Sequence, residues 1–117
     1  MSHLKYHFNP EDVKGCANPH VDGVVNMAIP DCFYGADFSK VKLAGNLYCR
    51  GSNIREDILL REMTIGEDLV LDTLYAGCGA RIVLTNTTIM GEVKIDYIQG
   101  YLELFLDNTT VEGKMSS

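Results

Sequence analysis

Ile54-Arg55-Glu56-Asp57-Ile58-Leu59-Leu60 is answered eleven residues later by Ile65-Gly66-Glu67-Asp68-Leu69-Val70-Leu71. The match is one step of a longer rhythm. Apolar pairs separated by one position return at Leu47/Cys49, Ile58/Leu60, Leu69/Leu71, Ile82/Leu84, Val93/Ile95 and Leu104/Leu106, in steps of 11, 11, 13, 11 and 11. A third apolar or small position follows each pair, at Ile54, Ile65, Ala76, Ile89, Gly100 and Val111, with the same steps. One two-residue insertion near Gly77-Cys78-Gly79 accounts for both long steps. Self-similarity at a fixed period marks repeat architectures, in which each unit buries its apolar edge only against its neighbours.

Alternate units resemble each other most. Asn86-Thr87-Thr88-Ile89 recurs 22 residues on as Asn108-Thr109-Thr110-Val111, and Leu71-Asp72 with Leu74 and Ala76 lines up with Ile95-Asp96, Ile98 and Gly100 once the insertion is allowed for. Two alternating halves make a coil of about 22 residues, so the region from Leu47 to Lys114 predicts an all-β, parallel β-solenoid of about three coils. Side chains alternate across a strand, so the paired aliphatics point inward and the residue between them points out. Gly66-Glu67-Asp68, Gly77-Cys78-Gly79 and Met90-Gly91-Glu92 read as strand breaks at corners. The rival fold is an antiparallel β-sandwich, which also places turn signals every 8–12 residues. It gives no reason for alternate strands to match, and the one Asp-Gly, Asp22-Gly23, precedes the repeat.

Ala36-Asp37-Phe38-Ser39-Lys40 carries a small residue, an Asp and a bulky apolar centre, with Leu43 five residues after Phe38. In this, and in the Ile-x-x-Asp-Leu-x-Leu style of the repeat, the chain resembles the pentapeptide-repeat and related right-handed β-helix proteins over roughly residues 36–114. It departs from them in that its core positions continue at eleven rather than five. The resemblance implies a β-helix that acts by binding, in some members by presenting an acidic surface that imitates DNA. It brings no catalytic motif.

The chain has 117 residues and a formal net charge of −6, which fits one domain and argues against direct nucleic-acid binding. No apolar run reaches the roughly 18 residues of a membrane helix and no signal-peptide pattern opens the chain, so a cytoplasmic protein without membrane contact is expected. Residues 1–35 form a separate N-terminal cap or arm, and 36–117 the solenoid. Asn9-Pro10-Glu11-Asp12-Val13 reads as a short helix start and Val21–Ile29 as a first strand. The arm also holds His3, His7, Cys16, His20 and Cys32, soft or borderline ligands suited to a structural zinc, although the Cys-x-x-Cys of most such sites is missing. Cys49 occupies an inward position and reads as a buried thiol.

No phosphate loop, nucleophile elbow or zinc-protease motif occurs, and Asp57, Asp68, Glu92 and Glu103 read as solvated corner charges. The outward positions are more telling. They divide into Tyr48, Val70 and Lys94 on one wall and Leu59, Val83 and Phe105 on the other, the second being an apolar column. Either the arm folds over that column through Phe8, Phe33, Tyr34 or Phe38, or a protein binds there. The chain therefore reads as a small acidic non-enzymatic solenoid that binds protein and self-associates as a dimer through Leu59, Val83 and Phe105, with Tyr48 and Val70 as further contacts. A zinc-stabilised binding protein and an acidic nucleic-acid mimic are the alternatives.

Overall fold

The computed structural model describes residues 20–22, 26–29 and 35–116. Strand β1 (His20–Asp22) pairs antiparallel with β2 (Asn26–Ile29), and every other pairing among the described residues is parallel. Stacked parallel strands linked through successive coils make a β-solenoid and exclude the sandwich. The stretch expected to be one strand, Val21–Ile29, is thus two, the second of them the first rung of the stack.

Each coil visits three walls rather than two. The first wall stacks β2, β5 (Leu47–Arg50), the start of β9 (Leu69–Thr85), the start of β11 (Val93–Asp107) and β13 (Met115–Ser116), so that Met27, Leu47, Leu69, Val93 and Met115 share one column. The second stacks β3 (Ala36–Ser39), β7 (Asp57–Arg61) and the later parts of β9 and β11. The third consists of two-residue strands, β4 (Lys42–Leu43), β8 (Thr64–Ile65), β10 (Thr88–Ile89) and β12 (Thr110–Val111). Between the first and second walls β6 (Asn53–Ile54) lies beside Tyr75 and Ala76. Leu47 opposite Leu69 is a step of 22, Leu69 opposite Val93 is 24 and Val93 opposite Met115 is 22. Met27 opposite Leu47 adds an earlier coil of 20 residues. The stack therefore holds about four coils, which begin at Met27, Leu47, Leu69 and Val93.

The insertion sits where the spacing placed it, but it does not break the strand. Ala76 faces Gly100 and Ala80 faces Leu102, so residues 77–79 bulge opposite Tyr101 alone while β9 runs on to Thr85. Gly100 is required at that point. Its φ is +92°, and a Cβ would run into the Ala76 carbonyl oxygen of the coil below.

Other corners use residues that take the left-handed region less readily. Lys40, Glu62, Asn86 and Asn108 stand at equivalent places between the second and third walls with φ of 50–62°, and Thr73 and Tyr97 follow the first wall at 55° and 53°. A left-handed L-residue costs about 1–2 kcal/mol, so contacts between coils must hold these corners. Side-chain ladders supply some of that hold. The Asn108 amide donates to Asn86 Oδ1. At the corner before the first wall, Asn26 Oδ1 accepts from the Asn46 N–H at 2.7 Å, Asn46 Oδ1 from Asp68 at 2.8 Å and Asp68 Oδ1 from Glu92 at 2.8 Å.

The interior is a set of aliphatic columns. Phe38, Ile58, Leu60, Ile65, Leu71, Leu74, Ile82, Leu84 and Ile89 are fully buried, and the buried Cys49 thiol is pushed up to about 12 by its burial. Among the described residues the polar exceptions are Ser52 and Thr87, the latter tied into the core by its side chain. Its hydroxyl accepts from the Met63 N–H at 3.3 Å and reaches the Leu60 and Thr85 carbonyls at 3.2 and 3.1 Å. Such pairing removes the desolvation cost of a buried hydroxyl.

Candidate interaction surface

On the second wall the outward residues stand in register as Asp37, Leu59, Val83 and Phe105. Strand pairing places Leu59, Val83 and Phe105 in one vertical file, with Leu59 and Val83 half-buried by their neighbours and Phe105 37% exposed. Charged rows border this file on both sides. Asp57, Arg81 and Glu103 are opposite one another on one flank, and Arg61, Thr85 and Asp107 on the other. Arg81 grips Asp57 with two hydrogen bonds of 2.8 and 2.6 Å, the largest influence keeping its guanidinium protonated. It also stands 5.9 Å from the centre of the Phe105 ring. Arg61 binds Asp37 in the same forked manner. The apolar file is therefore flanked by two forked Arg–Asp pairs, a geometry that fixes orientation better than a lysine would.

Asp57 and Glu103 belong to these strands and not to corners. Asp68 and Glu92 do lie at corners, where the Glu92 N–H, aided by Lys94 at 3.2 Å, holds the Asp68 carboxyl below the usual range.

Tyr48 and Val70 form a separate file on the first wall, between Ala28 and Lys94. Tyr48 is engaged locally. Its hydroxyl accepts from Asn46 Nδ2 at 2.9 Å, and the Arg50 guanidinium lies 4.4 Å from its ring centre.

No family model, curated protein or solved structure matches this chain. The site thus stands on its own geometry. Of the residues that could cover the second wall, Phe38 is a core side chain of the first coil, while Phe8, Phe33 and Tyr34 lie outside the described residues. So do the helix start at Asn9 and the metal candidates His3, His7, Cys16 and Cys32; His20 begins β1, and its side chain is likewise outside the description. Among the described residues no group of three His, Cys, Asp or Glu side chains could hold a metal, and no helix is long and apolar enough to cross a membrane.

Sequence reasoning missed an aromatic corner. Tyr75, Tyr97 and Tyr101 are exposed around the insertion, and Thr73, Tyr75, Tyr97, Ile98 and Gln99 line an open groove of about 550 Å³. The signal available was the density of tyrosines flanking Gly77-Cys78-Gly79 and Gly100. It went unread because the bend between the walls, which gathers them on one side, is not visible in the eleven-residue rhythm.

The last coil among the described residues is less covered than the one below it. Ile95, Ile98, Leu102, Leu104, Leu106 and Val111 are only partly buried, although Leu71, Leu74, Ala80, Ile82, Leu84 and Ile89 at the same places one coil earlier are fully buried. Beyond Lys94, no described residue pairs with the far edge of β11.

Proposed function

We propose that this protein is a non-enzymatic binding module of the β-solenoid type that self-associates through its second wall. The observation that carries this reading is the file of Leu59, Val83 and Phe105, three apolar side chains in register on an outward face and bordered by two forked ion pairs. A flat wall of this kind satisfies a two-fold contact, in which the same patch serves both copies. An acidic mimic of nucleic acid receives less support, because Asp37, Asp57, Asp68 and Asp72 are each tied to an Arg or Lys and do not form an open lattice of negative charge.

Native mass spectrometry at micromolar concentration tests the reading. The wild-type protein is expected as a dimer, and Phe105→Arg as a monomer with an unchanged β-sheet circular dichroism spectrum. A wild type that is monomeric at every concentration, or a Phe105→Arg protein that remains dimeric, contradicts self-association through this wall.

A further inference from the structure

The tyrosine corner around the bulge belongs to a longer groove. The hollow of about 550 Å³ at Tyr75 and Tyr97 shares Tyr75 and Gln99 with a second of about 280 Å³ that reaches Asn53 and Arg55 of the coil below. This one shares Ala76 and Gly100 with a third of about 410 Å³ that ends at Tyr101 and Glu103. Joined, they cross three coils at the bend between the first and second walls. Leu74 and Ile98 pack into the core between the outward Thr73, Tyr75, Tyr97 and Gln99, so the groove opens to the side of the stack and not at its end. Its floor is made of small residues, Ala76, Gly77, Gly79 and Gly100, and its rim of three rings, Tyr75, Tyr97 and Tyr101, exposed by 46%, 74% and 83%. Single exposed apolar residues are ordinary on a surface; three rings gathered along one groove mark a contact site.

The backbone beneath the groove is already paired. Tyr75 and Ala76 face Asn53 and Ile54 of the coil below and Gln99 and Gly100 of the coil above, and the Tyr75 N–H donates to the Ser52 carbonyl at 2.9 Å. No strand can be added there, so an occupant has to be gripped by side chains. What they offer is aromatic faces and hydrogen-bond donors, the three tyrosine hydroxyls and the Gln99 amide. We infer that the groove binds a proline-rich segment of another protein in the polyproline II conformation, its prolines packed between the Tyr75, Tyr97 and Tyr101 rings and its carbonyls accepting from the hydroxyls and from Gln99. Such a segment has no internal hydrogen bonds, so its carbonyls are free, and its prolines bring no N–H in need of an acceptor. It is also extended before it binds, which lowers the entropy lost in an aromatic-lined groove. From Tyr97 to Glu103 the wall reaches at most about 20 Å at about 3.3 Å per residue, the length of about six residues of polyproline II at about 3.1 Å each. Glu103 closes one end and the chain carries a net charge of −6, which favours a Lys or Arg flanking the prolines on that side. A neutral oligosaccharide is a poorer match: each of its hydroxyls brings a donor that needs an acceptor, and the carboxylate of the groove stands only at its end.

The inference rests on reading the chain as a binding module, but not on self-association, and one titration separates them. A fluorescein-labelled peptide of about ten prolines followed by Arg is titrated into the wild-type protein and its variants by fluorescence anisotropy, with oligomeric state followed in parallel. Tyr97 and Tyr101 are exposed, so Tyr97→Ala and Tyr101→Ala leave the core intact, which unchanged circular dichroism and urea midpoints verify. The expected result is saturable binding to the wild type, weakened about fivefold or more by each tyrosine variant, weakened less by Glu103→Lys, and retained by Phe105→Arg whatever its oligomeric state. Absence of binding to the wild type, equal binding of a glycine-serine peptide of the same length, or affinity unchanged in both tyrosine variants overturns the proposal. Displacement of the peptide by a neutral oligosaccharide such as cellohexaose at comparable concentration also overturns it and assigns the groove to sugars. Binding that disappears with the dimer in Phe105→Arg overturns it too, because the peptide would then be held at the second wall. Tyrosine-dependent peptide binding to a monomeric wild type keeps the groove and discards the self-associating wall.

Discussion

The third and fourth coils have nearly the same inward sequence and very different burial. Leu71, Leu74, Ile82, Leu84 and Ile89 of the third are fully buried, while Ile95, Ile98, Leu104, Leu106 and Val111 of the fourth are half open. Nothing in the residues themselves separates Leu84 from Leu106. What separates them is that Leu84 stands between Leu60 and Leu106, whereas Leu106 has a described neighbour on one side only. In a solenoid, burial is supplied by the adjacent coil, so stability is a sum of nearest-neighbour contacts and the last coil receives about half of it.

The most direct way to break this comparison is to truncate the same column at its two levels. Leu84→Ala should cost about 3 kcal/mol of unfolding free energy, and Leu106→Ala about 1 kcal/mol, in urea denaturation of the two variants. Equal costs would mean that something covers the fourth coil. A smaller effect sharpens the comparison at the polar seam. Asp68, low on the stack, accepts the Glu92 N–H and meets Lys94, so its folded pKa lies below the ordinary value of 3.8. A depressed carboxylate contributes stability that is present above the unfolded pKa and lost as pH falls through the folded one, a window below about pH 4. Asp68→Asn should therefore destabilise the protein by under about 1 kcal/mol at neutral pH and flatten the loss between pH 4 and pH 2, read from urea midpoints across that range. An acid limb identical to that of the wild type would remove Asp68 from the seam.

The core was legible because strand alternation and a coil-length repeat leave a periodic trace. Every inward pair from Leu47/Cys49 to Leu104/Leu106 stacks as its spacing required, and the insertion falls at residues 77–79. The first coil was not counted because its step of 20 departs from the rhythm, although Met27/Ile29 and Ala36/Phe38 are apolar pairs that stack on Leu47/Cys49 and Ile58/Leu60. The third wall was visible only as single apolar positions, because its strands are two residues long. Gly77-Cys78-Gly79 looked like a break for a sound reason, glycine's freedom, yet pairing resumes at Ala80 and Arg81, so the strand runs on through the bulge. The left-handed corners at Glu62, Thr73 and Tyr97 could not be read from residue type, since packing between coils overrides the preference for glycine or asparagine.

Of the surface, the apolar file was legible and its setting was not. Alternation placed Leu59, Val83 and Phe105 outward, but Arg81 meets Asp57 only through the inserted register, and Arg61 reaches Asp37 on a diagonal between coils. Beyond Lys94 the far edge of β11 has no pairing partner among the described residues, because no described coil stacks on it there.

Amide hydrogen exchange followed by NMR tests the central claim most directly. In a parallel ladder alternate residues bond to alternate neighbours, so every amide from Arg81 to Thr85 has a partner coil, whereas half of those from Glu103 to Asp107 face the open edge. The account predicts slow exchange throughout Arg81 to Thr85 and an alternating pattern of fast and slow exchange across Glu103 to Asp107. Uniform protection across both segments would contradict it.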